Sequence, residues 1–261
     1  MRCAPLFLFP LLLLSSCLVA RPCRAEPLVF AVSTSSAMPM TDFRDGALSA
    51  GLLKEFGDAL ARELHRSPRY LLVPRKRVEE PLQAGQADLL CDLRPEWLER
   101  KDWRWSEAIF SNTQIIASRA ETPAIQHLAQ LDQLRVGTIL GYRYAQLELA
   151  LGQPLSQHFV RDEAGSDDLN LAKLLRHRFA YMVTNRLYFD YQLKTNPERA
   201  HLNPASYPVM QFDTYCALPP HGKLELASVN RAIQALKRRG EIQAMLARFR
   251  PAAARRPALP Q

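Results

Sequence analysis

Two stretches of this chain close on a polar residue in the same way. LQAGQADLLCD ends at Asp92 and LRHRFAYMVTN ends at Asn185, each time after a helix, a tight turn and an apolar run. A carboxylate and a carboxamide so placed offer acceptors, one charged and one neutral, to a polar molecule lying between them. Basic groups stand nearby. Arg94 lies just beyond Asp92, placed either to pair with it or to reach an anion. Arg143, in Gly141-Tyr142-Arg143-Tyr144, opens a helix after a glycine loop, where unpaired backbone N–H groups already favour negative charge. Trp97, Tyr142 and Tyr188 sit near the same strand ends and are amphipathic enough to cover a ligand or to pack.

Covalent and metal chemistry have little to stand on. His65, His127, His158, His177, His201 and His221 are scattered, with no HExxH and no CxxC pair, so neither zinc nor another cofactor is expected. No G-x-S-x-G elbow and no G-x-x-x-x-G-K-[ST] phosphate loop occurs. A Cys91 nucleophile would need a histidine base that the sequence does not place. These residues read as a binding site rather than a reaction centre.

The elements that must position them alternate. LVFAV is a short buried strand, and STSSAMPMTDFRDG after it reads as a loop. In GLLKEFGDALARELHRS, Leu52, Leu53, Phe56, Ala59, Leu60 and Leu64 recur at helical spacing until Ser67-Pro68 stops them. Strands over 70–73 and 87–91 flank a short helix in RVEEPLQAG, and a further strand covers 113–118. After Pro123 the pattern restarts: strand in LRVGTILGY, helix in YAQLELALG, strand in HFVRD, helix in SDDLNLAKLLRHR capped by Ser166, and strand in FAYMVTN. DTYCAL is a last strand and LELASVNRAIQALKRRGEIQAMLARF a last amphipathic helix. Strand, helix, strand order implies parallel sheets with right-handed crossovers. Ligands of such sheets lie beyond the carboxyl ends of the strands, which makes Asp92 and Asn185 candidates to face each other across a cleft.

The chain begins with an export segment. Residues 3–20 are uncharged and lead to Cys23-Arg24-Ala25, so cleavage after Ala25 is expected. Leu14-Ser15-Ser16-Cys17 offers a second route, with a lipid anchor on Cys17. Losing Arg2, Arg21 and Arg24 lowers the formal charge from +8 to +5, two of which are Arg255 and Arg256 in a Pro- and Ala-rich tail. So little charge on the folded part argues against nucleic acid as a partner. Of five cysteines, only Cys91 and Cys216 would remain. No later stretch approaches the length of a membrane span, so the mature chain is expected in the periplasm, soluble or tethered.

Taken as a set, the export segment, LQAGQADLLCD, RPEWLERKDWRWSEAIF, LRVGTILGY and ASVNRAIQALKRRGEIQAMLARF resemble the family 3 extracytoplasmic solute-binding proteins over residues 28–250. Those are similar to the amino-acid-binding components of bacterial uptake systems. The resemblance implies an α/β, periplasmic-binding-protein type II fold: two lobes, each a mostly parallel sheet flanked by helices, with two hinge crossings. The expected divisions are a signal peptide at 1–25, a first lobe at 26–117 with its return at 213–250, a second lobe at 118–212 and a flexible tail at 251–261. In the resembled family an Arg after a Thr-Pro pair holds the ligand carboxylate, an Asp on the second-lobe strand holds the amino group, and aromatic rings cover the side chain. Here Trp97 stands where the Arg is expected, Asn185 replaces the Asp, and Ala37-Met38-Pro39-Met40 replaces the rings. Asn185 cannot neutralise an ammonium, so the ordinary amino-acid ligand loses its usual anchor. Trp105-Ser106 matches a packing position of the family. Because the third and final strands of that fold lie side by side, Cys91 and Cys216 would be a disulfide or two buried thiols.

What the resemblance implies for function is capture of a small polar solute, an amino acid or a related organic acid or amine, by a monomer that presents its closed form to an ABC-type membrane permease complex. A sensory or accessory binding protein is the alternative. A third reading is an enzyme like the cyclohexadienyl dehydratase built on the same scaffold, for which Glu96 or Asp92 would be the acidic group.

Overall fold

The computed structural model describes residues 26–249, so the expected export segment, with Cys17 and the expected cleavage after Ala25, and the tail lie outside the described residues. In chain order the elements are β1 (Leu28–Ser33), β2 (Asp42–Arg44), β3 (Ala47–Ala50), α1 (Leu52–Glu63), β4 (Pro68–Val73), α2 (Glu80–Gln83), β5 (Leu89–Leu93), β6 (Arg104–Trp105) and β7 (Ser111–Ser118). They continue with β8 (Arg135–Ile139), α3 (Ala145–Leu151), β9 (Val160–Ala164), α4 (Asp167–Leu175), β10 (Tyr181–Asn185), α5 (Arg186–Thr195), β11 (Tyr207–Asp213), β12 (Tyr215–Leu218), α6 (Leu226–Arg238) and α7 (Glu241–Phe249).

Two five-stranded sheets organise these elements, ordered β4-β1-β5-β12-β6 and β11-β7-β10-β8-β9. Each holds three parallel strands, β4, β1 and β5 in one and β10, β8 and β9 in the other, extended by two antiparallel ones. β1 is apolar from Leu28 to Val32 because both its faces are covered: Leu28, Phe30 and Val32 join the core under α1, α6 and α7, while Val29 and Ala31 pack with Val78, Leu82, Leu98 and Trp103. β7 is divided likewise, with Ile115 and Ala117 packing toward α4 and α5 and Ile116 toward α3. The stripe read on α1 is buried at Leu52, Phe56, Ala59 and Leu60. Its entry needs Gly51, at φ 108°, where a Cβ would lie 2.5 Å from the Met40 carbonyl oxygen.

The first lobe boundary differs from the expected one at 117. β7 pairs antiparallel with β10 and β11, which places it in the second sheet, so the chain crosses before Ser111. Pro123 marks where the βα pattern restarts and not where the sheet changes, and a strand says nothing in its own sequence of which sheet it joins. The return crossing falls between β11 and β12, at Thr214. The two crossings run side by side: the Ile109 amide donates to the Thr214 carbonyl at 2.7 Å and the Thr214 amide donates to the Phe110 carbonyl at 2.9 Å.

Cys91 and Cys216, on the neighbouring strands β5 and β12, are joined by a disulfide. It closes a loop of 125 residues, one that contains the whole second lobe. Non-reducing mass spectrometry after thiol alkylation should find both cysteines unmodified. Reduction should cost about 2–5 kcal/mol of stability. With about 2–4 °C per kcal/mol for a chain of this size, thermal unfolding should then fall by roughly 5–15 °C.

Candidate functional site

Asp92, the penultimate residue of β5, lies in the left-handed region, at φ 62°, one residue beyond the disulfide. Aspartate is among the few residues that tolerate this conformation, and here it turns the chain at the sheet's carboxyl edge. Across from it, β10 ends in Thr184 and Asn185, and α4 begins with Asp167 after Ser166, whose hydroxyl accepts from the Leu169 amide at 3.3 Å. Asp92, Trp97, Tyr142, Arg143 and Asn185 line one cleft between the lobes, together with Ser33, Ser36, Arg75, Gln114, Tyr144, Asp167 and Thr184. The enclosed volume is about 60 Å³, room for a small solute and not for a macromolecule.

Two of the expected site residues lie elsewhere. Arg94 turns onto Glu96, to whose carboxylate it donates at 3.1 and 3.2 Å, and its guanidinium lies over the Phe212 ring. Tyr188 faces into the second-lobe core, 3% exposed, and donates its hydroxyl to Asp168 at 2.9 Å. α5 starts directly after β10, so its first turn carries Tyr188 under the sheet and away from the cleft. Arg143 lines the mouth, where it bridges to Glu99 of the opposite lobe at 3.3 Å.

The guanidinium inside the cleft belongs to Arg75, from the turn after β4. Its Nη2 donates to the Trp97 carbonyl at 3.3 Å and its plane lies over the Tyr142 ring at 5.0 Å, while its buried Nε has no protein partner. Gln114 Oε1 and Thr184 Oγ1 are likewise buried and unpartnered. Buried polar groups are rarely left so, and three around one cavity mark a surface built to meet something else.

Two half-buried carboxyls complete the electrostatics. Burial pushes Asp92 up to about 7, against the pull of Arg75 and with the repulsion of Asp167. Burial and the neighbouring Asp168 likewise raise Asp167 to about 7. Tyr142 is raised by burial first and by the Asp167 charge next, so its phenol stays neutral. Glu96, offered above as an acid, is held below the ordinary range by its hydrogen bonds with Arg94, which outweigh its desolvation.

The lobes also touch around this cavity. Trp97 Nε1 donates to Gln146 Oε1 at 2.9 Å, the Asp167 amide donates to the Ser35 carbonyl at 3.2 Å, and a Cβ at Gly141 would lie 2.8 Å from Cγ of Lys76. Sequence reasoning missed Asp167 although the cap it places at Ser166 puts that aspartate on a helix N-terminus beside the strand ends. Arg75 lay in the run Arg75-Lys76-Arg77 with no motif to distinguish it, and Gln114 and Thr184 looked like interior strand positions.

No family model matches the chain, and no curated protein matches it by sequence. Solved structures do match. An ancestral amino acid-binding protein described as a precursor of cyclohexadienyl dehydratase has a TM-score of 0.72 at 16% identity, over 86% of this chain and 96% of its own. The GluR0 ligand-binding core in complex with L-glutamate has a TM-score of 0.70 at 15% identity, over 86% and 98%. The amino acid ABC transporter substrate-binding protein AbpA from Streptococcus pneumoniae, bound to L-arginine, has a TM-score of 0.68 at 18% identity, over 85% and 94%. The chain therefore has the two-lobed α/β fold of the amino-acid-binding proteins. At these identities the family resemblance read from its motifs holds as a likeness of fold.

A raised carboxyl makes stability depend on pH. Unfolded, Asp92 and Asp167 release their protons near the ordinary value of about 4, whereas folded they hold them to about 7. Between these values the unfolded state binds fewer protons, so stability falls as pH rises through that window. Asp92→Asn, which keeps an αL-tolerant residue, should exceed the parent by on the order of 2 kcal/mol at pH 7.5 and match it at pH 4. Urea unfolding at the two pH values measures this.

Proposed function

We propose that this chain is an exported solute-binding protein that holds a small polar solute bearing a carboxylate between its lobes. The observation that carries the reading is the set of buried, unpartnered polar atoms on the cleft wall, Arg75 Nε, Gln114 Oε1 and Thr184 Oγ1, contributed by both lobes. A carboxylate would take Arg75, the guanidinium inside the cleft that makes no ion pair with an acidic side chain among the described residues. Ordinary amino acids return as candidates, because Asp92 and Asp167 supply the negative charge that Asn185 lacks. The neighbours of the same fold include proteins whose descriptions name amino acids, which supports this solute class. Export to the periplasm and delivery to an ABC-type permease complex are supported by the expected export segment and by neighbours described as ABC transporter substrate-binding proteins. A sensory role uses the same closure.

A second reading, dehydration of a cyclohexadienyl acid, is favoured by Asp92: a carboxyl at about 7 is half protonated at neutral pH and suits a general acid. Incubation with such an acid would reveal it as the ultraviolet absorbance of an aromatic product, lost in Asp92→Asn. No product from the parent protein removes this reading.

A thermal-shift screen of amino acids, dicarboxylates, polyamines and aromatic acids tests the first reading. A ligand at 100 times its dissociation constant adds about 2.7 kcal/mol. That corresponds to a rise of roughly 5–11 °C. Arg75→Ala should remove the shift from any carboxylate hit, and a shift that survives it takes Arg75 out of the site.

A further inference from the structure

The cleft is not electrically neutral. Its charged lining consists of Asp92, Asp167, Arg75 and Arg143, and Arg143 is already paired with Glu99 at 3.3 Å. Two carboxylates thus face one guanidinium. Asp92 comes from β5 of the first lobe and Asp167 from α4 of the second, and the two charges act on each other across the cleft. Among the described residues no side chain or backbone group donates a hydrogen bond to either carboxylate.

A second observation points the same way. Gln114 and Thr184, each 5% exposed, line this cavity with unpartnered oxygens. The Gln114 carbonyl oxygen adds an acceptor to the two carboxyls, the Thr184 hydroxyl can accept or donate, and the guanidinium of Arg75 is the cation of the cleft not held in an ion pair. A guest that balances such a wall brings positive charge and N–H donors.

We infer that the cleft selects ligands of net positive charge, seating an ammonium group between Asp92 of one lobe and Asp167 of the other. The inference rests on the cleft being a solute site and adds the charge class of the solute. A neutral amino acid offers one carboxylate to Arg75 and one ammonium to the aspartates, and leaves one carboxylate unmatched. A diamino carboxylic acid brings the second cation and closes the count. Because the two aspartates belong to different lobes, the same cation also draws the lobes together.

Isothermal titration calorimetry of the full mature chain at pH 8 tests this with L-ornithine and L-lysine against L-asparagine, L-glutamine and L-glutamate, ligands of similar size and different charge. The cationic pair should bind at least ten times more tightly than the neutral pair, with L-glutamate weakest. In Asp167→Asn the preference should shrink to within about threefold, and Asp92→Asn should behave alike, giving a second variant if one fails to fold. Neutral or acidic ligands binding as tightly as the cationic pair, or an unchanged preference in both variants, overturns the charge selection while leaving the solute site standing. No binding by any member of the series, beside a blank thermal-shift screen, overturns both.

Discussion

The arrangement depends on one electrostatic constraint: two carboxyl groups from different lobes share a desolvated space with a single guanidinium. Taking a carboxylate out of water costs several kcal/mol unless an opposite charge or strong donors replace the lost solvation. Asp92 and Asp167 answer by holding their protons to about 7, and Arg75 tempers the rise at Asp92 without cancelling it. A protonated pair is a makeshift. It leaves the cavity short of positive charge and of hydrogen-bond donors, and this deficit is what gives the cleft its chemistry.

The fold supplies the geometry at low cost to its own stability. Both sheets bury their strands on two faces, so the side chains between strand ends are fixed by packing and only the carboxyl edges are left to meet a guest. The disulfide joins β5 to β12 immediately before Asp92, and the crossings are held together at Ile109, Phe110 and Thr214. Charged side chains at the rim serve closure instead. Arg143 and Glu99 bridge the lobes where water screens them, a contact worth about 0–1 kcal/mol.

Much of this was legible in the chain. The apolar stripe of α1, the Ser166 cap and the two helix-turn-strand stretches ending at Asp92 and Asn185 are local patterns, and local patterns survive into the structure. Non-local choices did not show. The stretch after β1 folds a small hairpin, β2 and β3, whose strands are too short to carry a period. α5 and β11 were unread, because RLYFDYQLKT mixes apolar and polar residues with a weak stripe and YPVMQFD contains a proline. The last long helix breaks into α6 and α7 at Gly240, φ 71°. Of the residues announced by position near a strand end, Asp92, Trp97, Tyr142, Arg143 and Asn185 line the cleft, whereas Arg94 and Tyr188 do not. Arg75 and Asp167 were not, since what distinguishes them is the cavity they share and not their neighbours in sequence.

Closure itself follows from the same deficit. The interlobe contacts made within the protein include the hydrogen bonds of Trp97 to Gln146, of the Asp167 amide to Ser35 and of Lys194 to the Arg248 carbonyl, the Arg143–Glu99 pair, and the ring contacts of Trp97 with Phe212 and of Tyr191 with Phe249. Set against them are two aspartates that repel when ionised and three buried polar atoms without partners, each worth about 1–3 kcal/mol when unpaired. Moving a two-state chain from about 1:99 to 99:1 takes about 5.5 kcal/mol of differential affinity. Satisfying Arg75, Gln114, Thr184 and the two carboxylates at once is of that size. A guest able to reach all of them would bind the closed lobes and not the open ones, because in the open state the Asp92 and Asp167 edges stand apart and no single molecule spans both. The free polar groups of the cleft are in this sense the switch: they oppose closure while unpaired and drive it once paired.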